Sequence, residues 1–206
     1  MSELHELQLV IDSATAACSA ALIDADGEVI DERHELVGRG HAERLVPMIA
    51  ELLDGRRPAS ILVDCGPGSF TGVRVGLAAA HGLAIGWRVP LAGFSSLALH
   101  AAASGEAEVG IALQAGHGEL FVQSYGGDPL APLDEMRSLP PEAAAEAVAA
   151  DLVLGSGAEA LVAARRHGRW SDVLPRASDA RRLPLGLRSL PPRPIYGRAP
   201  DARPMN

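Results

Sequence analysis

Residues 61–86 read ILVDCGPGSFTGVRVGLAAAHGLAIG. Ile61-Leu62-Val63 is a short apolar run and predicts a buried strand. Asp64-Cys65 carries it into the turn Gly66-Pro67-Gly68-Ser69-Phe70-Thr71-Gly72. Glycine permits positive φ and the close approach of another group, and proline fixes the path, so this segment is a tight turn with exposed backbone. Thr71 is placed to cap a helix over Val73 to Ile85. Strand, glycine loop and helix can together hold a phosphate at the helix N-terminus. Gly66 to Gly72 with Arg74 is therefore a candidate anion loop, and a purely structural turn is the other reading.

The named templates do not fit. A P-loop needs lysine after its last glycine, but Gly72 is followed by Val73 and the chain contains no lysine. Gly66 and Gly68 are followed by Gly72, one residue late for the dinucleotide fingerprint. Ser69 lies between Pro67 and Thr71, not in the glycine frame of a nucleophile elbow.

The helix is apolar nearly all round, with only Arg74 and His81 strongly polar, so it is buried on more than one side. Gly72, Gly76, Ala80 and Ala84 recur every fourth residue and form a stripe of small side chains. Such a stripe admits a second helix at close range, either from a partner protein or from this chain's own packing.

GPGSFTGVRVGLAAAHGLAIG resembles the signature of the TsaB (YeaZ) family, GPGSFTG-[LV]-R-[IV]-G-L-x-x-x-x-G-L. Three further stretches extend the resemblance: the opening IDSATAACSAAL from Ile11, HAERLVP from His41, and the tail from Pro194 to Ala202. Ser13 and Ala14 depart from the family's usual Thr-Ser order. Gln114-Ala115-Gly116-His117 replaces a more charged family turn.

The resemblance implies an α/β, actin/sugar-kinase/Hsp70-like (RNase H-like) fold of two lobes, with mixed sheets flanked by helices. It implies a non-catalytic subunit that pairs with TsaD, and with the ATPase TsaE, to make N6-threonylcarbamoyladenosine at position 37 of tRNA. Threonylcarbamoyl transfer then belongs to TsaD, tRNA is met only through the complex, and the chain alone forms a homodimer. The implied interface uses His41, Leu45, Met48, Ile49 and Leu52 with Val73, Gly76, Leu77, Ala80 and Ala84. The isolated chain is expected to carry no cofactor, with ATP or ADP at a subunit junction.

A chain of 206 residues suits one large domain or two small ones. We expect a first lobe over 1–103, a smaller second lobe over 104–190 and a tail over 191–206 that packs on the body. Aromatics make up only 3%, so the core rests on Ala, Leu and Val, and base-stacking platforms are scarce. The net charge of −8 argues against direct RNA binding, although the arginines are concentrated after residue 150. Cys18 and Cys65 have no metal spacing and suit a reducing cytoplasm. The acidic Met1-Ser2-Glu3-Leu4-His5-Glu6 is unlike a signal peptide, and no apolar run reaches the ~18 residues of a membrane span.

Strands are expected at Leu7 to Asp12, Cys18 to Ile23 and Glu28 to Arg33, with a hairpin turn at Asp24-Ala25-Asp26-Gly27. A helix is expected over His41 to Leu53, where Pro47 makes it kink or start late. The chain continues with strand Leu91 to Gly93, a helix capped by Ser95 or Ser96, and a hairpin over 109–125. Helices at Glu142 to Ala150 and Ala158 to His167 flank a strand at Leu152 to Leu154. The Gly155-Ser156-Gly157 turn reads as an anion site or a simple strand-to-helix turn. Tyr196 is expected to anchor the tail, and Phe70 to plug the first lobe beneath the loop. His34 and His41 are seven apart, and Leu45 stands four after His41, so no metal pair is expected on that helix. The alternative function is an ATP- and Mg²⁺-dependent phosphotransferase-like enzyme using Asp12 and Asp64. A peptidase reading finds no zinc or Ser-His-Asp pattern.

Overall fold

The computed structural model describes residues 6–197. Strands β1 (Gln8–Asp12), β2 (Ala17–Ile23) and β3 (Val29–Leu36) form an antiparallel meander. Helix α1 (His41–Leu53) leads to β4 (Ser60–Asp64), and α2 (Phe70–Trp87) leads to β5 (Leu91–Phe94). β4 pairs parallel to both β1 and β5, giving the order β3-β2-β1-β4-β5. This is the strand order of the RNase H-like lobe in actin, sugar-kinase and Hsp70 folds, the fold class expected from the sequence.

Helix α3 (Ser96–Ser104) connects to the second sheet. There β6 (Glu108–Gln114), β7 (Leu120–Gly126), β8 (Ala131–Pro132) and β9 (Arg137–Leu139) precede α4 (Pro141–Ala147). β10 (Leu152–Leu154), α5 (Ala158–Arg165) and β11 (Arg169–Ser171) complete the order β11-β10-β6-β7-β8, with β9 also on β7.

Alternation along the strands sends side chains to opposite faces and builds three cores. Leu9, Ile11 and Val63 meet α1 and α2 on one face of the first sheet. Val10 and Leu62 point the other way, where α3 joins them to Val109, Ile111 and Tyr125 of the second sheet. Ala112, Val122 and Val153 pack under α4 and α5. α3 ends at Ser104, and Gly105 after it takes φ +67. The middle core nevertheless runs through both sheets.

The tail crosses back to the first sheet. Leu190 and Gly93 exchange backbone hydrogen bonds of 2.7 and 2.9 Å, and Ile195 N–H donates to Cys65 O at 2.8 Å. Ile195 packs against the first core, whereas Tyr196 is 58% exposed, so Ile195 is the anchor and Tyr196 is not. The Arg198-to-Ala202 part of the tail motif and residues 1–5 of the N-terminus lie outside the described residues. No helix among the described residues is long and apolar enough to cross a membrane.

Two helix starts differ from expectation. α2 begins at Phe70, because Ser69 Oγ accepts from Gly72 N–H at 3.2 Å; Ser69 is the cap and Thr71 is inside the first turn. α1 begins at His41 after Gly40 (φ 111) and carries Pro47 within it rather than starting late.

Candidate functional site

The glycine loop is held down by the β1–β2 turn. Ser69 N–H donates to Ala14 O at 2.7 Å, and Ser13 Oγ donates to Gly72 O at 2.9 Å. A Cβ on Gly68 would overlap Ala14 O, one on Gly72 would overlap Ser13 O, and one on Gly76 would overlap Ser13 Oγ. These glycines let the start of α2 rest on the chain's own backbone. The stripe of Gly72, Gly76, Ala80 and Ala84 is thus the inward face of α2.

That placement corrects the implied interface. Leu45, Met48, Leu52 and Ala80 are fully buried. His41, Ile49, Val73, Gly76, Leu77 and Ala84 are buried beside them. All ten face the chain's own interior rather than its outer helix surface. His41 Nε2 lies 2.9 Å from Thr15 O, so its ring ties α1 to the β1–β2 turn. The outward positions are Ala42, Val46 and Ala50 on α1 and Ala78, Gly82, Ile85 and Gly86 on α2. Val46 and Ile85 are 52% and 77% exposed.

Asp12 and Asp64, the carboxylates of the phosphotransferase reading, are buried at 1% and 2% exposure. Asp12 accepts from Ala14 N–H at 3.0 Å. Asp64 accepts from Gly66 N–H at 2.6 Å, and Ser96 Oγ lies 2.7 and 2.8 Å from its two oxygens. Burial pushes Asp12 up to about 6, and burial with the neighbouring Asp12 charge raises Asp64 well above the carboxylate range.

Raised acids hold protons more tightly folded than unfolded. Their contribution is therefore fully present below the unfolded pKa and is lost as pH rises through the folded one. Asp64→Asn removes a buried titrating site whose pKa burial and the Asp12 charge raise. It is expected to raise Tm over wild type by a margin that grows from about pH 5 to about pH 8. Thermal melts at both ends check this, and a pH-independent difference would count against a raised Asp64.

Beside the loop is a cavity of about 590 Å³ between the lobes, lined by Phe70, Arg74, Gln114, Gly116, Phe121 and Tyr196 among others. The Arg74 guanidinium lies 3.4 Å from the Phe70 ring centroid and donates to Tyr196 Oη at 3.0 Å. Phe70 is 62% exposed, so it is a platform for Arg74 and not a plug under the loop. Aromatics are only 3% of the chain, but Phe70, Phe121 and Tyr196 line this one cavity. The Gly155-Ser156-Gly157 turn is structural: Gly155 N–H donates to Ser171 O, and Gly157 N–H to Ala112 O. Among the described residues no three His, Cys, Asp or Glu side chains gather as a metal site.

A sequence model of the family described as "TsaD: tRNA N6-adenosine threonylcarbamoyltransferase" matches residues 28–150. The tRNA threonylcarbamoyladenosine biosynthesis protein TsaB of Escherichia coli is 38% identical over 129 residues, 58% of this chain and 55% of that protein. A solved structure of YeaZ from Pseudomonas aeruginosa superposes with a TM-score of 0.76 at 26% identity, over 93% of this chain and 99% of that one. The chain belongs to the TsaB (YeaZ) family. An uncharacterized protein of Mycobacterium tuberculosis (strain H37Rv) is 34% identical over 96% of this chain and 94% of its own length. The match to E. coli TsaB, by contrast, spans little more than half of that relative.

Within this TsaB-family chain, the outward glycines escaped sequence reasoning. Gly82 and Gly86 have nothing within 4 Å of where a Cβ would sit, so the fold does not require them. A mid-helix glycine costs about 1 kcal/mol relative to alanine. The available signal was the second glycine pair in the helix, four residues apart, on a face different from Gly72 and Gly76.

Proposed function

We propose that this chain is a non-catalytic, cytoplasmic subunit in tRNA threonylcarbamoyladenosine biosynthesis that pairs with TsaD through the outer faces of α1 and α2. The observation that carries the reading is the pair Gly82 and Gly86. They are open, not needed by the chain's own packing, and flanked by exposed Ile85 and Ala78. Small residues on a helix let a partner helix approach closely, and the side chains at the contact set that distance. Val46 on the adjacent α1 extends the apolar strip. Kinship with proteins named for this pathway supplies the pathway.

In this reading TsaE joins the TsaD-bound form, and tRNA meets the chain only within the assembly. The same helix faces pair two copies when TsaD is absent. The cavity of Phe70, Arg74 and Tyr196 is where this chain offers a place for ATP or ADP at a subunit junction. The phosphotransferase reading is disfavoured by the full burial of Asp12 and Asp64, whose oxygens are already bonded within the chain. Size-exclusion chromatography with light scattering tests the proposal on the chain alone and with TsaD of the same organism. A dimer mass alone and a one-to-one complex on mixing are expected. Failure to form that complex, with or without nucleotide, would overturn the pairing.

A further inference from the structure

A second interlobe cavity, of about 530 Å³, opens beside the β1–β2 turn. Its wall includes His100, Asp172, Ser156, Gln114, Thr15 and Ser69. His100 is only 3% exposed. Its Nδ1 lies 2.8 Å from Ser96 O, one turn earlier on α3. A carbonyl only accepts, so Nδ1 carries the proton and Nε2 presents a lone pair. No hydrogen-bond partner for Nε2 exists among the described residues. Burial holds the imidazole below its ordinary pKa, so it stays neutral and keeps that lone pair.

The rest of the wall matches this acceptor. Asp172 is exposed at the rim and has no internal ion pair or hydrogen bond among the described residues. Ser156 Oγ accepts from Gln114 N–H, Thr15 Oγ1 from Ala17 N–H, and Ser69 Oγ from Gly72 N–H. Among the described residues no arginine lines the cavity. The hydroxyls keep an O–H each, but a phosphate would also face the Asp172 carboxylate and the His100 Nε2 lone pair with no cation opposite it. A group rich in N–H donors and carrying positive charge would find partners for both.

We propose that this cavity binds a small organic cation, an amine whose N–H donates to His100 Nε2 and whose charge faces Asp172. The site does not depend on the pairing with TsaD. It is tested on the full chain, ¹⁵N-labelled at histidine, by following the imidazole nitrogens during titration with putrescine. His100→Gln assigns the resonance, and inorganic phosphate and Zn²⁺ serve as the other ligands.

The His100 Nε2 signal is expected to shift saturably with putrescine and to ignore phosphate. Asp172→Asn breaks no internal bond among the described residues and is expected to weaken the putrescine Kd by about tenfold, the size of one charge-assisted hydrogen bond. No shift with putrescine, an unchanged Kd in Asp172→Asn, or an equal response to phosphate would overturn the proposal. A response to Zn²⁺ without one to putrescine would replace it with a metal site.

Discussion

Gly82→Leu is expected to leave the chain folded and to weaken pairing with TsaD at least about 100-fold. The two halves of that result have separate causes. Leucine is a better helix former than glycine, and the space around Gly82 is open, so the isolated chain gains a few tenths of a kcal/mol or more. At a close helix contact the same side chain holds the partner off and opens the surrounding packing. Circular dichroism melts report the first effect, and light scattering with TsaD reports the second. Unchanged complex formation by the folded variant would move the interface elsewhere. Ala80→Glu is no substitute, because Ala80 is fully buried against the first sheet and an unpaired charge there attacks the fold itself.

The second large effect separates two glycines of the same helix. Gly72→Ala is expected to destabilise the chain by at least ~3 kcal/mol, because its Cβ meets a backbone oxygen that cannot swing aside. For a chain of this size that is a fall in Tm of roughly 6–12 °C. Gly82→Ala, ten residues on, is expected to raise stability by about 1 kcal/mol. Equal responses at the two positions would mean that α2 does not rest on the β1–β2 turn as described.

Much of the fold was legible in the sequence, and the reason is local. Apolar runs bounded by turn residues marked the strands, and a resemblance extending through several motifs supplied their order. What escaped was the direction of each helix face. α2 is apolar nearly all round, so its period shows a helix but not which side meets the sheet. The small-residue stripe was visible, yet two such stripes exist, and only the position of Ser13 and Ala14 in space shows which one the chain itself consumes. Thr71 was expected as the cap, whereas the bond to Gly72 N–H comes from Ser69, two residues earlier. Tyr196 looked like the tail's anchor because it is large, while Ile195 beside it carries the backbone bond to Cys65. His100 was unremarkable within an apolar run. The groups that share its cavity come from residues 15, 114, 156 and 172, and only the folded chain brings them together.

The core shared by the two sheets has a mechanical consequence. Domain closure in kinases and binding proteins relies on a few hinge residues between separately packed bodies. Here α3, Phe94 and Tyr125 belong to one core that both sheets share, apart from the two interlobe cavities. Swinging one lobe against the other would expose buried aromatic surface at each stroke. The outer faces of α1 and α2 are thereby coupled through one continuous core to the far sheet, so a load on the helices reaches the second lobe through packed side chains.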